Sequence, residues 1–71
     1  MIFDSSKLKG LMKEKDITQD KAAKEIKIST STFNLKINGN AYFSQEEIYK
    51  LSNLLGISGE LYGQYFFTIK V

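Results

Sequence analysis

Residues 18–39 constrain the fold more than any other part of this chain. They read as two short helices joined by a tight turn. Thr18 starts the first and Ser29 the second, because a side-chain oxygen there accepts from the free N–H groups of a first helical turn. Ala22, Ala23 and Ile26 form the inner face of the first helix, and the alanines leave room for another helix to cross it. Lys21, Lys24 and Glu25 face water. Ile28, just before Ser29, is placed to staple to Phe33. Asn38 and Gly39 end the second helix, since both tolerate left-handed backbone.

Three further helices flank this pair. Asp4 caps the first, with Phe3 stapled to Leu8, and Leu8, Leu11 and Met12 recur at helical spacing. Gly10 in that helix is either a tolerated surface glycine or a mark of close approach by another helix. Residues 13–16 are a solvated end and turn, and residues 40–43 are a loop. Ser44 and Glu47 form a capping box, with Phe43 placed to staple to Ile48. That helix runs through Ile48, Leu51, Leu54 and Leu55 until Gly56 stops it. Ser58 caps a short fifth helix containing Leu61, Tyr62 and Tyr65. Residues 66–71 favour extended backbone over a helical period. The expected fold is therefore all-α: a single domain, residues 1–71, with five short helices and a short extended C-terminal tail.

Composition closes off several classes of function. The 71 residues include no cysteine, histidine, proline or tryptophan. Disulfides and thiolate metal sites are excluded, and the commonest metal ligand and general base are missing. The acids are scattered over helix surfaces without a catalytic constellation. The reading is thus not an enzyme, with no catalytic residues, no metal, no cofactor and no small-molecule ligand. No window approaches the ~20 apolar residues of a membrane span, and the N-terminal residues contain no apolar run like a signal peptide. A cytoplasmic location is expected. The net charge is only +2, but its distribution is uneven. Residues 1–40 hold eight lysines against five acids, and residues 41–71 two against three. All ten basic residues are lysine, so the bidentate arginine–guanine contact is not available to this chain.

On a wheel of about 100° per residue, Phe33 and Ile37 point the third helix inward. Ser31, Leu35 and Asn38 lie opposite, Asn34 flanks them, and Thr30 is near the helix start. These short, uncharged side chains suit the edges of base pairs: Asn pairs with adenine, Ser and Thr donate or accept, and Leu touches a thymine methyl. Thr32, Lys36 and Asn40 extend the candidate DNA-binding face. Gln19 opens the second helix, where backbone amides and partial positive charge meet phosphate. Two adjacent amphipathic helices also build plain interaction bundles. Tyr42 is expected to pack over its loop rather than reach a phosphate.

Thr18-Gln19, Ala23, Ile26, Ile28-Ser29, Ser31-Thr32, Phe33 and Asn38-Gly39 together resemble the helix-turn-helix of the lambda-repressor/Cro-like superfamily, the Xre-type phage and bacterial regulators. Leu51 and residues 54–58 resemble that family's fourth helix and its stop. The resemblance spans residues ~7–62, and within that family the small single-domain size resembles Cro-type phage regulators. It implies a five-helix lambda-repressor-like domain, double-stranded operator DNA as partner, and a homodimer. Two positions depart from the family pattern. Lys27 stands where glycine is usual, so it either adopts left-handed backbone at roughly 1 kcal/mol or the turn has another geometry. Lys36 stands where a buried aliphatic residue is usual. Either Ile37 takes that role, or Lys36 buries its stem and extends its ammonium.

The leading expectation is a repressor-like transcriptional regulator that reads operator DNA. The alternative is a protein-binding module, such as an antirepressor, that keeps the fold for a protein partner. Apolar residues crowd the C-terminus. Tyr62 and Phe66 are expected inside, while Tyr65, Phe67, Ile69 and Val71 form a dimer interface; the rival is a tail folded back across the first helix.

Overall fold

A computed structural model describes residues 4–67. Among them there are five α-helices and no strand: α1 (Ser6–Glu14), α2 (Gln19–Ile26), α3 (Thr30–Ile37), α4 (Gln45–Leu55) and α5 (Tyr62–Phe66). A 3₁₀ turn, Gly59–Leu61, leads into α5. The all-helical expectation holds. The capping box on α4 is present, with Ser44 Oγ accepting from Glu47 N at 3.2 Å and Glu47 Oε1 accepting from Ser44 N at 2.9 Å. Thr18 and Ser29 cap α2 and α3 as their spacing predicts.

The four longer helices all stop in the same way. Each is followed by a residue with positive φ: Asp16 (59°), Lys27 (63°), Gly39 (83°) and Gly56 (73°). In each case the next N–H reaches back five residues, as Ile17 does to Met12 O and Ile28 to Ala23 O. This satisfies a carbonyl that the helix end leaves free. Lys27 therefore does take the left-handed conformation, and Gly39 rather than Asn38 carries it after α3.

Leu8 and Met12 of α1, Ala22, Ala23 and Ile26 of α2, Phe33 and Ile37 of α3, and Ile48, Leu51 and Leu55 of α4 are buried together with Phe43, Ile57 and Phe66. α2 lies against both α3 and α4, and α1 against α5. Rings join the layers edge to face. Phe33 and Phe43 are 5.6 Å apart, Phe43 and Phe66 5.8 Å, and Phe66 and Tyr62 6.1 Å. Such pairs add about 0.5–1.5 kcal/mol each beyond area burial.

The structure departs from the expected elements at Phe66, at Ser58 and at the start of α1. Phe66 does not begin an extended tail but ends α5, because its ring is drawn between Phe43 and Tyr62. Ser58 makes no side-chain cap, and the chain after it turns as a 3₁₀ segment. The cap position of α1 is Ser5, whose buried hydroxyl donates instead to Ile37 O across the fold. Asp4 still serves the helix start, its Oδ1 accepting from Ser6 N at 2.9 Å. Gly10 faces open space rather than another helix. Phe3, Ile69 and Val71 lie outside the described residues, so the Phe3 staple and the outer part of the tail do too.

Candidate functional site

The left-handed turn at Lys27 joins α2 to α3, and Phe33 and Ile37, both fully buried, fix the rotation of α3. The outer side then follows from helical period. Ser31, Asn34, Leu35 and Asn38 are exposed, as are Gln19, Thr30 and Asn40 nearby. The wheel reading is met at all four of its central positions. Leu35 is 54% exposed, a large apolar side chain pointing away from the core.

Two of the candidate residues are turned to structural use. Thr32 is half-buried and its Oγ1 accepts from Ser29 Oγ at 2.9 Å. Lys36 is also half-buried, and its ammonium lies 2.5 Å from Glu47 Oε1 on α4. Ile37 occupies the inward position, so the question left open by Lys36 is answered by Ile37 inside and Lys36 directed to α4.

Thr30 and Asn38 bring in charges from outside α3. Thr30 Oγ1 donates to Asp20 Oδ1 at 2.9 Å, and Lys9 Nζ donates to Asn38 Oδ1 at 3.1 Å. Sequence reasoning missed Asp20 and Lys9. Asp20 reads in sequence only as a favourable first-turn acid of α2, and Lys9 as one of several solvated lysines. Tyr42, in the loop after α3, is 45% exposed.

Among the described residues no group of acids is arranged to hold a metal ion, and no helix is long and apolar enough to cross a membrane. Of the expected dimer-interface residues, Tyr65 is half-buried and packs on the core while Phe67 is 51% exposed.

Residues 1–69 match the family described as "Protein of unknown function (DUF739)", and the chain belongs to that family. The chain is similar in structure to the modulator of repression (MOR) of the temperate bacteriophage TP901-1 from Lactococcus lactis, solved in solution. The TM-score is 0.77 and the identity 34%, with 100% of this chain and 96% of that chain covered. No curated protein matches.

Proposed function

We propose that this chain is a phage-type modulator of repression that acts through a protein partner, a repressor, on an Xre-like helical scaffold. The observation that carries this reading is the likeness to the TP901-1 modulator, which extends over the whole of this chain, α3 included. The charge pattern supports it. A net charge of +2 without arginine is a weak electrostatic footprint for a nucleic-acid reader, and two lysines are held by carboxylates, Lys36 by Glu47 and Lys50 by Glu46.

A second reading has its own observation. Ser31 and Asn34 are exposed and uncharged, which suits base-edge contact. In that reading the chain binds operator DNA as a homodimer, with Phe67 at the contact.

The test is a titration of the purified chain against the purified repressor of the phage or prophage that carries it. Calorimetry is run beside gel shifts on duplex DNA. The proposal expects saturable binding to the repressor and, on DNA alone, only salt-sensitive binding indifferent to sequence. No association with the repressor, together with a site-specific shift by the chain alone, returns it to the DNA-reading class. In that event Ser31→Ala and Asn34→Ala should each cost on the order of 1–3 kcal/mol on the specific site and far less on random DNA.

A further inference from the structure

We infer that the outer face of α3 is the surface that docks the protein partner. The partner presents an apolar centre with a cation at one end and a carboxylate at the other. This rests on the reading of the chain as a protein-binding modulator and names the face that does the binding.

The two contacts that end on α3 define the face. Thr30 holds Asp20 at the N-terminal end, and Asn38 holds Lys9 at the C-terminal end. Along the helix axis these ends are about 12 Å apart. The local cause is plain: a carboxylate is favoured beside a helix N-terminus and an ammonium beside a C-terminus. The result is a strip with a negative end, a positive end and Ser31, Asn34 and Leu35 between them. α3 carries apolar side chains on both sides, with Phe33 and Ile37 inward and Leu35 more than half exposed.

That pattern suits a protein better than a duplex. DNA carries one phosphate charge per about 1.7 Å of its axis. A carboxylate at the helix end that would enter a major groove meets like charge there, unless it finds a cytosine amino group. A protein surface can offer a cation to Asp20 and a carboxylate to Lys9. Two pairs of opposite sense fix register and direction, and Leu35 supplies a centre that loses its water on contact. Because the strip holds one charge of each sign, its long-range attraction nearly cancels. Association should then vary little with salt, whereas phosphate binding varies steeply.

Calorimetry with the same repressor tests the face, with thermal melts to establish that each variant is folded. Asp20→Asn keeps an acceptor for Thr30 and removes only the charge. Leu35→Ser and Lys9→Glu should each weaken partner binding tenfold or more, and Asp20→Asn severalfold. Tyr49→Ala, on the exposed side of α4, should stay within twofold. Raising salt from low to physiological strength should change wild-type affinity less than threefold. If the wild-type chain does not bind the repressor, the proposed function fails and this inference fails with it. If the wild type binds and the three folded α3-face variants bind equally well, the inference alone is overturned. It is also overturned if Asp20→Asn raises duplex affinity tenfold while partner binding is unchanged.

Discussion

Lys36 and Glu47 clamp α3 to the first turn of α4 through an oxygen that is already in use. Glu47 Oε1 accepts from Ser44 N to close the capping box and from Lys36 Nζ across the helix interface. Only 16% of the lysine side chain and 15% of the glutamate side chain are exposed. One carboxylate thus fixes where α4 starts and how α3 sits against it. The outward aim of Leu35 and Asn34 depends on the same pair, because Lys36 is the next residue on α3.

This pair should make stability depend on acid. Burial pushes the Glu47 carboxyl up, but the hydrogen bonds from Lys36 and Ser44 and the Lys36 charge outweigh it and hold it below its ordinary value. A group lowered on folding stabilises the protein above its unfolded pKa and loses that contribution as pH falls through the folded value. Urea midpoints should be flat from neutrality to about pH 5, then fall below roughly pH 4.5. Glu47→Gln should cost about 1–3 kcal/mol at pH 7, since it leaves the largely buried Lys36 side chain without its counter-charge. It should also flatten the acid limb. An acid limb identical to wild type in the variant would show that another carboxylate controls it.

Lys27 is the strained link of the α2–α3 turn. At φ 63° its Cβ crowds the backbone, and left-handed conformation costs a non-glycine residue roughly 1–2 kcal/mol. Glycine removes that strain but gains freedom in the unfolded chain. Lys27→Gly is therefore expected to stabilise by about 0.5–1 kcal/mol, a rise of a few degrees in Tm for a domain this small. Lys27→Val should lower Tm. A lower Tm for the glycine variant would mean that the lysine stem contributes packing that exceeds its strain.

Much of this was legible in the sequence because it is local. Caps at Thr18, Ser29 and Ser44, the stop at Gly56 and the inward period of Phe33 and Ile37 depend on neighbours within one or two turns. What was not legible depends on contacts across the fold. No pattern near Lys36 announces Glu47, and nothing near Asn38 announces Lys9. Phe66 reads as extended by its β-favouring neighbours, yet aromatic packing against Phe43 and Tyr62 keeps it helical. The likeness to a modulator of repression favours the protein-binding alternative over the DNA-reading expectation. A neutral outer face on α3 does not distinguish the two, and the charges at its ends come from other helices.

Ser52 is the exception in the core. It is 1% exposed on α4, and its Oγ has no hydrogen-bond partner among the described residues. A buried hydroxyl left unpaired costs about 1–3 kcal/mol, and alanine is the better helix former. Ser52→Ala should thus be neutral or stabilising by up to about 1 kcal/mol. Ser52→Leu should overpack the site and destabilise by about 1–3 kcal/mol. Guanidinium unfolding of both variants checks the pair, and a clear loss of stability on Ser52→Ala would point to a hydrogen bond in solution.

Phe66 and Phe67 are adjacent and should behave in opposite ways. Phe66 is 2% exposed and joins α5 to the core through Phe43, while Phe67 is half exposed just past the end of that helix. Phe66→Ala should cost about 3–5 kcal/mol, which matches the few kcal/mol of margin a core this small leaves. That variant should be largely unfolded at room temperature by circular dichroism. Phe67→Ser should change stability by no more than about 0.5 kcal/mol. Its effect is expected on association: if Phe67 lies at a contact between two copies, sedimentation at rising concentration should show a dimer for the wild type and a monomer for the variant. Equal sedimentation of the two folded proteins would remove Phe67 from any self-contact and leave its exposed ring as an isolated surface residue.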